Sequence, residues 1–520
     1  MTTDSTPGTP ARRLRSRGRD ALARRFGVDA RALAALRISL GLLLIADALG
    51  RSRNLVAFYT DAGVLPRAAL RESYPLLARF SLHALSGSPL VQAALLTVAV
   101  VFGLALLSGY RTRLATAGSL VLLVSLHARN PLVLNGGDAL LRRLLFWGLF
   151  LPLGERWSAD ALRRRGAPSD DAAPRRRVAS VASAALLVQV VLVYTVNAGL
   201  KLRGDLWLRG EAVRYVLSLD QFTVLLGDVL ANYPTLLGVV DRLWLGMLVC
   251  SVLLIALTGR ARTGFVALFV GTHLGMALTM RLGLFPLISV AALLAFLPSS
   301  VWDVLESNFA SPNSRGGEDA GESVRSPADS RRFGRLATVV PSSTITRPGV
   351  PRSLSRWASR LAPLVAACLL VALLGWNAAV LVDGGSNEVA SADDTPWGMF
   401  APEPMQTDGW YVVPAELASG DRVDAFHRRP VRWDRPTDVA RSYPTARWRK
   451  YLTNVRRSEY AAQRRSFAGF LCERWNRNRD DELTRLAVYF VAQPTRLDGP
   501  EPTRRVELGR YSCSDVSVSG

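Results

Sequence analysis

The chain has 520 residues, a net charge of +22 and a hydrophobic fraction of 49% with a mean hydropathy of +0.17, although 20% of its residues are charged. Such values coexist when charge and apolarity occupy separate stretches, as in LLVQVVLVYTV (186–196) beside LRRRGAPSDDAAPRRR (162–177), and this excludes an ordinary soluble domain. The arginines sit between apolar runs, where the positive-inside bias places them, so no nucleic-acid partner is expected, and four cysteines exclude a disulfide-stapled scaffold.

In chain order, the pattern divides into a basic cytoplasmic tail (1–30), a transmembrane core of about eight spans (31–305), a disordered cytoplasmic linker (306–360), a final transmembrane helix (361–382) and an extracytoplasmic globular domain (383–520). The fold class is mainly α: a polytopic transmembrane helical bundle of about nine spans with a C-terminal α+β or β-rich domain. Apolar runs predict spans at 33–50, 89–108, 114–128, 138–153, 181–199, 236–257, 264–280, 282–298 and 361–382. The first lacks a small-residue cleavage site after it and reads as uncleaved. The third and fourth are short for a hydrocarbon core of about 30 Å. Arginine-rich segments at the N-terminus, at Arg111 with Arg113, at 162–177, at Arg260 with Arg262 and in 306–360 fit one topology. The N-terminus is then cytoplasmic and everything after Asp383 extracytoplasmic, in a multi-pass cell-membrane protein whose first partner is the lipid bilayer.

Beyond the last span, GWYVV (409–413), RLAVYFVA (485–492) and RRVELGRYS (504–512) read as strands, and SEYAAQRRSFAGFLCERWN (458–476) has helical spacing. Cys250 and Cys368 fall in apolar spans and read as small buried packers. Cys472 and Cys513 either pair, if the last strand packs beside that helix, or remain separate thiols.

Ionisable groups at membrane depth mark the places to look for chemistry. Arg37 and Asp47 in the first span are about 15 Å apart along a helix and read as snorkelling to its ends. In HARNPLVLNGGDALLRR (127–143), the turn Asn135-Gly136-Gly137-Asp138 offers backbone amides and a carboxylate together. Asp138 is either the N-cap of the fourth helix or a site residue. His127 is either a proton carrier or an interfacial hydrogen-bonded histidine. His273 lies within the seventh span. Of the 64 basic residues all but Lys201 and Lys450 are arginine, and Lys201 follows Asn197, Ala198 and Gly199 at the end of an apolar helix. An amine desolvated there serves as a general base, whereas one snorkelling to the interface does not. The segments 58–67, 129–138 and 199–213 are expected to converge on one pocket containing Lys201, His127 and Asp138.

Five ordered stretches, FYTDAGVLPR (58–67), RNPLVLNGGDALL (129–141), LFLPLGERWSAD (149–160), NAGLKLRGDLWLRGEAV (197–213) and THLGMALTMRLGLFPLISVAALLAFLP (272–298), resemble the vitamin K-dependent gamma-carboxylase-like family, whose membrane part is the HTTM (horizontally transferred transmembrane) domain. WGMFAPEPMQTDGWYVV (397–413) is similar to the opening of the outward domain in that family. The resemblance implies a reduced menaquinone or vitamin K-type quinone as cofactor, no metal, and a secreted peptide as substrate. In the family, a lysine after an Ala-Gly pair deprotonates the quinone, and the oxygenated quinone removes a proton from a glutamyl γ-carbon, which captures CO2. Lys201 is the lysine available for that role, with His127, Asp138 and His273 supporting it and Asn135, Gly136, Gly137 and Trp207 on the cofactor. The family motif carries two adjacent lysines with the second as base, whereas Lys201 matches the first, and no counterpart of a long propeptide-binding domain is present. The resemblance thus implies a quinone-linked epoxidase or carboxylase. The alternative is a non-catalytic membrane factor for maturation or export of a secreted peptide. A transporter is disfavoured by the lack of matching broken-helix repeats.

Overall fold

The computed structural model describes residues 20–165, 176–309, 397–477 and 479–516, together with residue 18 and scattered positions between 365 and 375. The expected linker falls outside the described residues from 310 onward, and the expected span at 361–382 is described only in part, as helix at 365, 367–372 and 374–375.

Five helices of the described residues are long and apolar enough to cross a membrane: α1 (Ala30–Ser52), α2 (Pro89–Ser108), α5 (Val181–Lys201), α6 (Pro234–Ala256) and α7 (Gly259–Thr279). Between them lie α3 (Thr112–Arg129) and α4 (Gly136–Gly148). A sixth crossing is formed if α8 (Phe285–Phe296) and α9 (Ser299–Asn308), bent 103° to each other, count as one span. Among the described residues the count by length and composition is thus five or six, with the expected span at 361–382 described only in part. α4, at 13 residues, is only about 20 Å long, and α3 carries Arg113, His127 and Arg129 among its 18 residues. α5 buries 72% of its most apolar stretch and α1 61%, against 22% for α2 and α7. The first pair forms the centre of the bundle, and the second pair turns its leucines and valines toward lipid. Small residues let α1 and α2 close up, for a Cβ on Gly41 would lie 2.7 Å from the backbone nitrogen of Leu107.

Two sequence readings are corrected here. Arg37 does not snorkel: it is fully buried and donates to the carbonyls of Leu106 and Leu107, both at 3.0 Å, and of Trp157 at 2.6 Å. Two of these carbonyls belong to the last turn of α2 and the third to the loop after α4, so one guanidinium ties a helix end to a neighbouring loop. Cys250 and Cys368 are exposed, not buried packers.

The C-terminal domain is a wholly antiparallel sheet with helices against it. Its strands are β1 (Thr407–Val412), β2 (Pro414–Leu417), β3 (Arg422–Asp424), β4 (Arg429–Pro430), β5 (Leu483–Pro494) and β6 (Arg504–Ser512), in the order β1-β5-β2-β3-β4, with β6 also on β5. β5 is the spine: β1 pairs along its second half, β2 along its first, and β6 covers its other edge. Val, Tyr and Phe in VYFV suit a strand buried between neighbours. Two helices, α10 (Ala446–Val455) and α11 (Ala461–Asn476), add Trp448, Tyr451, Phe467 and Leu471 to a core that also takes in Phe58 and Tyr59 of the membrane part. Sheet domain and bundle thus share one hydrophobic cluster.

The seam between them is polar as well. Asp408 on β1 is buried, with one carboxylate oxygen accepting from the Asp220 backbone N–H at 3.1 Å and the other without a hydrogen-bond partner. Burial, with Asp220 beside it, pushes this carboxyl up to about 6. An acid raised in the folded state binds protons the unfolded chain has released, so stability is highest below the ordinary aspartate value and is lost as pH climbs toward 6. Asp408→Asn is expected to flatten the fall in melting temperature between pH 4 and pH 6 and to raise stability at pH 7 by about 2 kcal/mol at most; an unchanged pH profile would contradict this origin of the slope.

Cys472 on α11 and Cys513 just after β6 form a disulfide with their Cα atoms 5.8 Å apart and a sequence separation of 41. Closing a loop of that length is worth about 3 to 4 kcal/mol on the chain-entropy account. Reduction, or a Cys472→Ser/Cys513→Ser pair, is expected to lower the domain's denaturation midpoint accordingly while leaving the α-helical circular dichroism intact.

Candidate functional site

Two buried polar clusters lie where the bundle meets the C-terminal domain. The first starts from α1, whose Asp47 and Arg51 stand four residues apart and so share a face. Arg51 is fully buried, and its guanidinium is completely engaged. Nε donates to Asp47 Oδ2 at 2.7 Å, Nη1 to the Tyr59 hydroxyl at 2.7 Å, and Nη2 to Asp138 Oδ1 at 2.7 Å and to His127 Nε2 at 2.9 Å. A guanidinium only donates, so His127 accepts through Nε2 and is neutral, with its proton on Nδ1. From α10, Arg447 reaches into the same place and bonds Asp47 Oδ1 and, at 3.2 Å, Asp138 Oδ1. Two carboxylates therefore face two guanidiniums and one neutral imidazole.

Asp47, His127 and Asp138 bring one ligand atom each within 4.8 Å of one another, a spacing compatible with a metal ion. The two arginines already hold the carboxylate oxygens and supply the countercharge. Asp138 is not the N-cap of α4. That position is Asn135, whose side chain accepts from the Gly137 and Asp138 amides at 2.8 and 3.2 Å, while Asp138 returns a bond to the Asn135 amide at 2.8 Å. This reciprocal capping box occupies the Asn135 and Gly137 amides, two of the three on which a cofactor at Asn135, Gly136 and Gly137 would draw. Around the cluster, Arg129 binds the carbonyls of Leu65 and Thr60, and Asn130 binds that of Phe58. Segments 58–67 and 129–138 thus converge as expected.

Lys201 belongs to the second cluster, and among the described residues no hydrogen bond or ion pair links the two. Its Nζ donates to the carbonyls of Met399 and Phe400, each at 3.1 Å, and lies 3.3 Å from the centre of the Trp207 ring. The same short segment is gripped from all sides. Asn197 donates to the Trp397 carbonyl at 2.6 Å, Trp207 Nε1 to Phe400 at 2.8 Å, Arg143 stacks on the Trp397 ring at 4.6 Å, and the Leu206 amide bonds Glu403. Gly204 makes the approach possible, since a Cβ there would lie 2.0 Å from the Pro402 carbonyl oxygen. Asp241 of α6, fully buried and bound to the Val213 amide at 2.9 Å, is the carboxylate that interacts electrostatically with Lys201.

His273 stands apart from both. Its Nδ1 is bonded to the Phe269 carbonyl at 2.8 Å, and its Nε2 is buried without a hydrogen-bond partner among the rings of Tyr194, Trp244 and Phe285. Phe285 also backs onto Gly137, where a Cβ would meet its Cα at 3.0 Å.

Sequence reading overlooked Arg51, Tyr59, Asp241 and Arg447. The Asp47/Arg51 spacing was a legible signal, as was an aspartate inside the apolar stretch 236–257. Arg447 gave none, being one arginine among many. Replacing Arg447 by Met would leave an uncompensated carboxylate beside Arg51, and breaking a buried pair in this way costs about 3 to 5 kcal/mol. The expected outcome is a matching loss in detergent melting experiments, partly recovered by adding Asp47→Asn. Equal stability of Arg447→Met and wild type would show that the network carries no such strain.

Against known proteins, a family model described as HTTM domain matches residues 27–302, more than half of the chain. No curated protein and no solved structure matches significantly.

Proposed function

This chain belongs to the HTTM domain family, and from that premise we propose that it is a membrane-embedded, hydroquinone-dependent enzyme of the gamma-carboxylase-like kind in which Lys201 is the general base. The observation that carries this reading is a single amine, 2% exposed, at the end of the most buried span and against an indole face. Arginine, which the chain uses almost everywhere else, cannot release its proton, whereas a desolvated lysine can.

A base must offer its lone pair to the group it deprotonates. Here Lys201 faces two carbonyl acceptors and a π surface, all of which favour the ammonium form, so this is a closed state. Opening requires the 397–403 segment to withdraw. The aromatic rings of Trp207, Phe222 and Phe400 suit a flat apolar ring such as that of a reduced menaquinone or vitamin K-type quinone, and Phe222 meets Phe400 edge to face with the centroids 5.3 Å apart. When bound, that group supplies an acidic hydroxyl and the electrons for reaction with oxygen. Lys201 would take up the hydroxyl proton, and Asp241 would balance the resulting charge. His127 and Asp138, engaged with Arg51, and His273, which stands apart from both clusters, are left out of this relay. Carboxylation of a glutamyl side chain in a secreted peptide is the reaction class this would serve.

A second reading follows from the saturation of the Lys201 N–H groups. As a latch on 397–403, Lys201 would serve a non-catalytic factor in maturation or export of a secreted peptide. Lys201→Arg separates the two, because arginine can still donate to carbonyls but cannot act as a base. With reduced menaquinone and oxygen, wild-type protein is expected to form epoxide and Lys201→Arg to lose at least about 100-fold of that rate, in line with loss of general-base catalysis, while keeping its melting temperature. Epoxide formation by Lys201→Arg at the wild-type rate would remove the base assignment, and none from wild type would favour the latch.

A further inference from the structure

Outside both clusters, an open cleft of about 370 Å³ separates the stretch Ser52–Ala57, which follows α1, from the C-terminal domain. Its far wall is aromatic, made by Phe426, Trp448 and Phe470, and its rim is cationic, made by Arg53, Arg474 and Arg477. None of the described residues lining it is acidic. Arg53 and Arg477 are exposed, and among the described residues neither side chain has a hydrogen-bond or ion-pair partner. Arg474 is anchored by the carbonyls of Ala425 and Phe426 at 2.8 and 2.9 Å, yet its buried Nε has no partner. Arg428 adds a fourth positive charge behind it, and the nearby Asp424 is already paired with His427 at 2.8 Å. A cationic rim without countercharge calls for an anion, and an aromatic wall calls for an apolar part on the same ligand.

The position of the cleft narrows the choice. Leu42, Ala46, Leu49 and Arg53 follow at spacings of four, three and four residues and so share one helix face. Leu42 is 54% and Leu49 57% exposed, which in this bundle means turned to lipid. From Leu42 to Arg53 the helix rises about 16 Å, close to half of a hydrocarbon core of about 30 Å. The apolar face therefore runs one leaflet deep and ends at headgroup level, at the mouth of the cationic cleft.

We propose that this cleft binds the phosphate-bearing headgroup of an anionic phospholipid, whose acyl chains lie along the Leu42–Leu49 face of α1. The phosphate takes its hydrogen bonds from Arg53, Arg477 and Arg474 Nε, and the aromatic wall covers the glycerol end. Such a lipid joins the first span to the C-terminal domain at a place where the protein itself leaves a gap.

The test uses the full chain in nanodiscs of phosphatidylcholine with graded phosphatidylglycerol, followed by native mass spectrometry of the released protein. Wild type is expected to retain one phosphatidylglycerol per chain, with at least a fivefold preference over phosphatidylcholine. Arg53→Gln/Arg477→Gln should lose that preference, and Val56→Trp, which fills the cleft from its exposed wall without altering charge, should lower occupancy independently. Undiminished phosphatidylglycerol retention in both variants overturns the proposal, as does equal retention of phosphatidylcholine by wild type. Stabilisation by inorganic phosphate alone, matching that by phosphatidylglycerol, would assign the site to a free anion and overturn it too. So would displacement of the lipid preference by a glutamate-rich decapeptide at micromolar concentration, which would make the cleft a peptide site.

Discussion

Charge neutrality at Asp47, Asp138, Arg51 and Arg447 is the constraint on which the arrangement rests. Taking an isolated ion out of water costs several kcal/mol even after relaxation, and these four groups are tolerable only together. Three of them belong to the bundle and the fourth to the C-terminal domain. The domain must therefore dock for the bundle to be electrostatically complete, and it must dock in one orientation, because Arg447 has to reach two particular carboxylates. The rest of the seam follows from that fixed point. Trp448, the next residue, bonds Asn54 at 3.0 Å, and Asn454, two turns along α10, bonds the Leu132 carbonyl at 2.8 Å. Arg449, on another face of the same helix, takes the carbonyls of Gln221 and Arg281.

The two clusters differ in the kind of bond that closes them. Around Arg51 every partner is a side chain on a helix or a tightly braced loop, and opposite full charges hold the carboxylates, so the cluster is rigid and of its buried polar atoms only His127 Nδ1 is without a hydrogen-bond partner. Around Lys201 the partners are neutral carbonyls on a short non-helical stretch, each bond worth less and replaceable by a ligand's own oxygen. A fold that needs one fixed joint and one movable cover would divide its polar contacts this way. The family match ends at residue 302, so the cover at 397–403 is contributed by a part of the chain outside the matched domain.

The broad architecture was legible because its signals are local. Apolar runs of 20 residues or so mark α1, α2, α5, α6 and α7, and alternation in RLAVYFVA marks β5. The short helices α3 and α4 are less plain, since an apolar run alone does not reveal that a helix has 13 residues or carries Arg113, His127 and Arg129. At the candidate site, Lys201, His127 and Asp138 stood out by residue type and depth, but their grouping did not. Which of them meet depends on Arg447 and on Met399 and Phe400, about 200 to 310 residues away in the chain. A backbone carbonyl has no signature in sequence at all. Arg37 misled and Arg51 was overlooked for a related reason: an arginine that binds a helix end or completes an ion network looks the same as one that reaches for water.

The reach of Arg447 also bears on how the protein is made. Asp138 leaves the ribosome 309 residues before its partner, which at 5–20 residues per second is a wait of roughly 15 to 60 s. Throughout that interval the bundle holds two aspartates against a single arginine, and for part of it, between the synthesis of Lys201 and that of Met399 and Phe400, a lysine without its covering carbonyls. Until α10 arrives, this joint carries an unbalanced charge. Assembly thus has a built-in end point, since docking of Arg447 on Asp47 and Asp138 is the step that neutralises it.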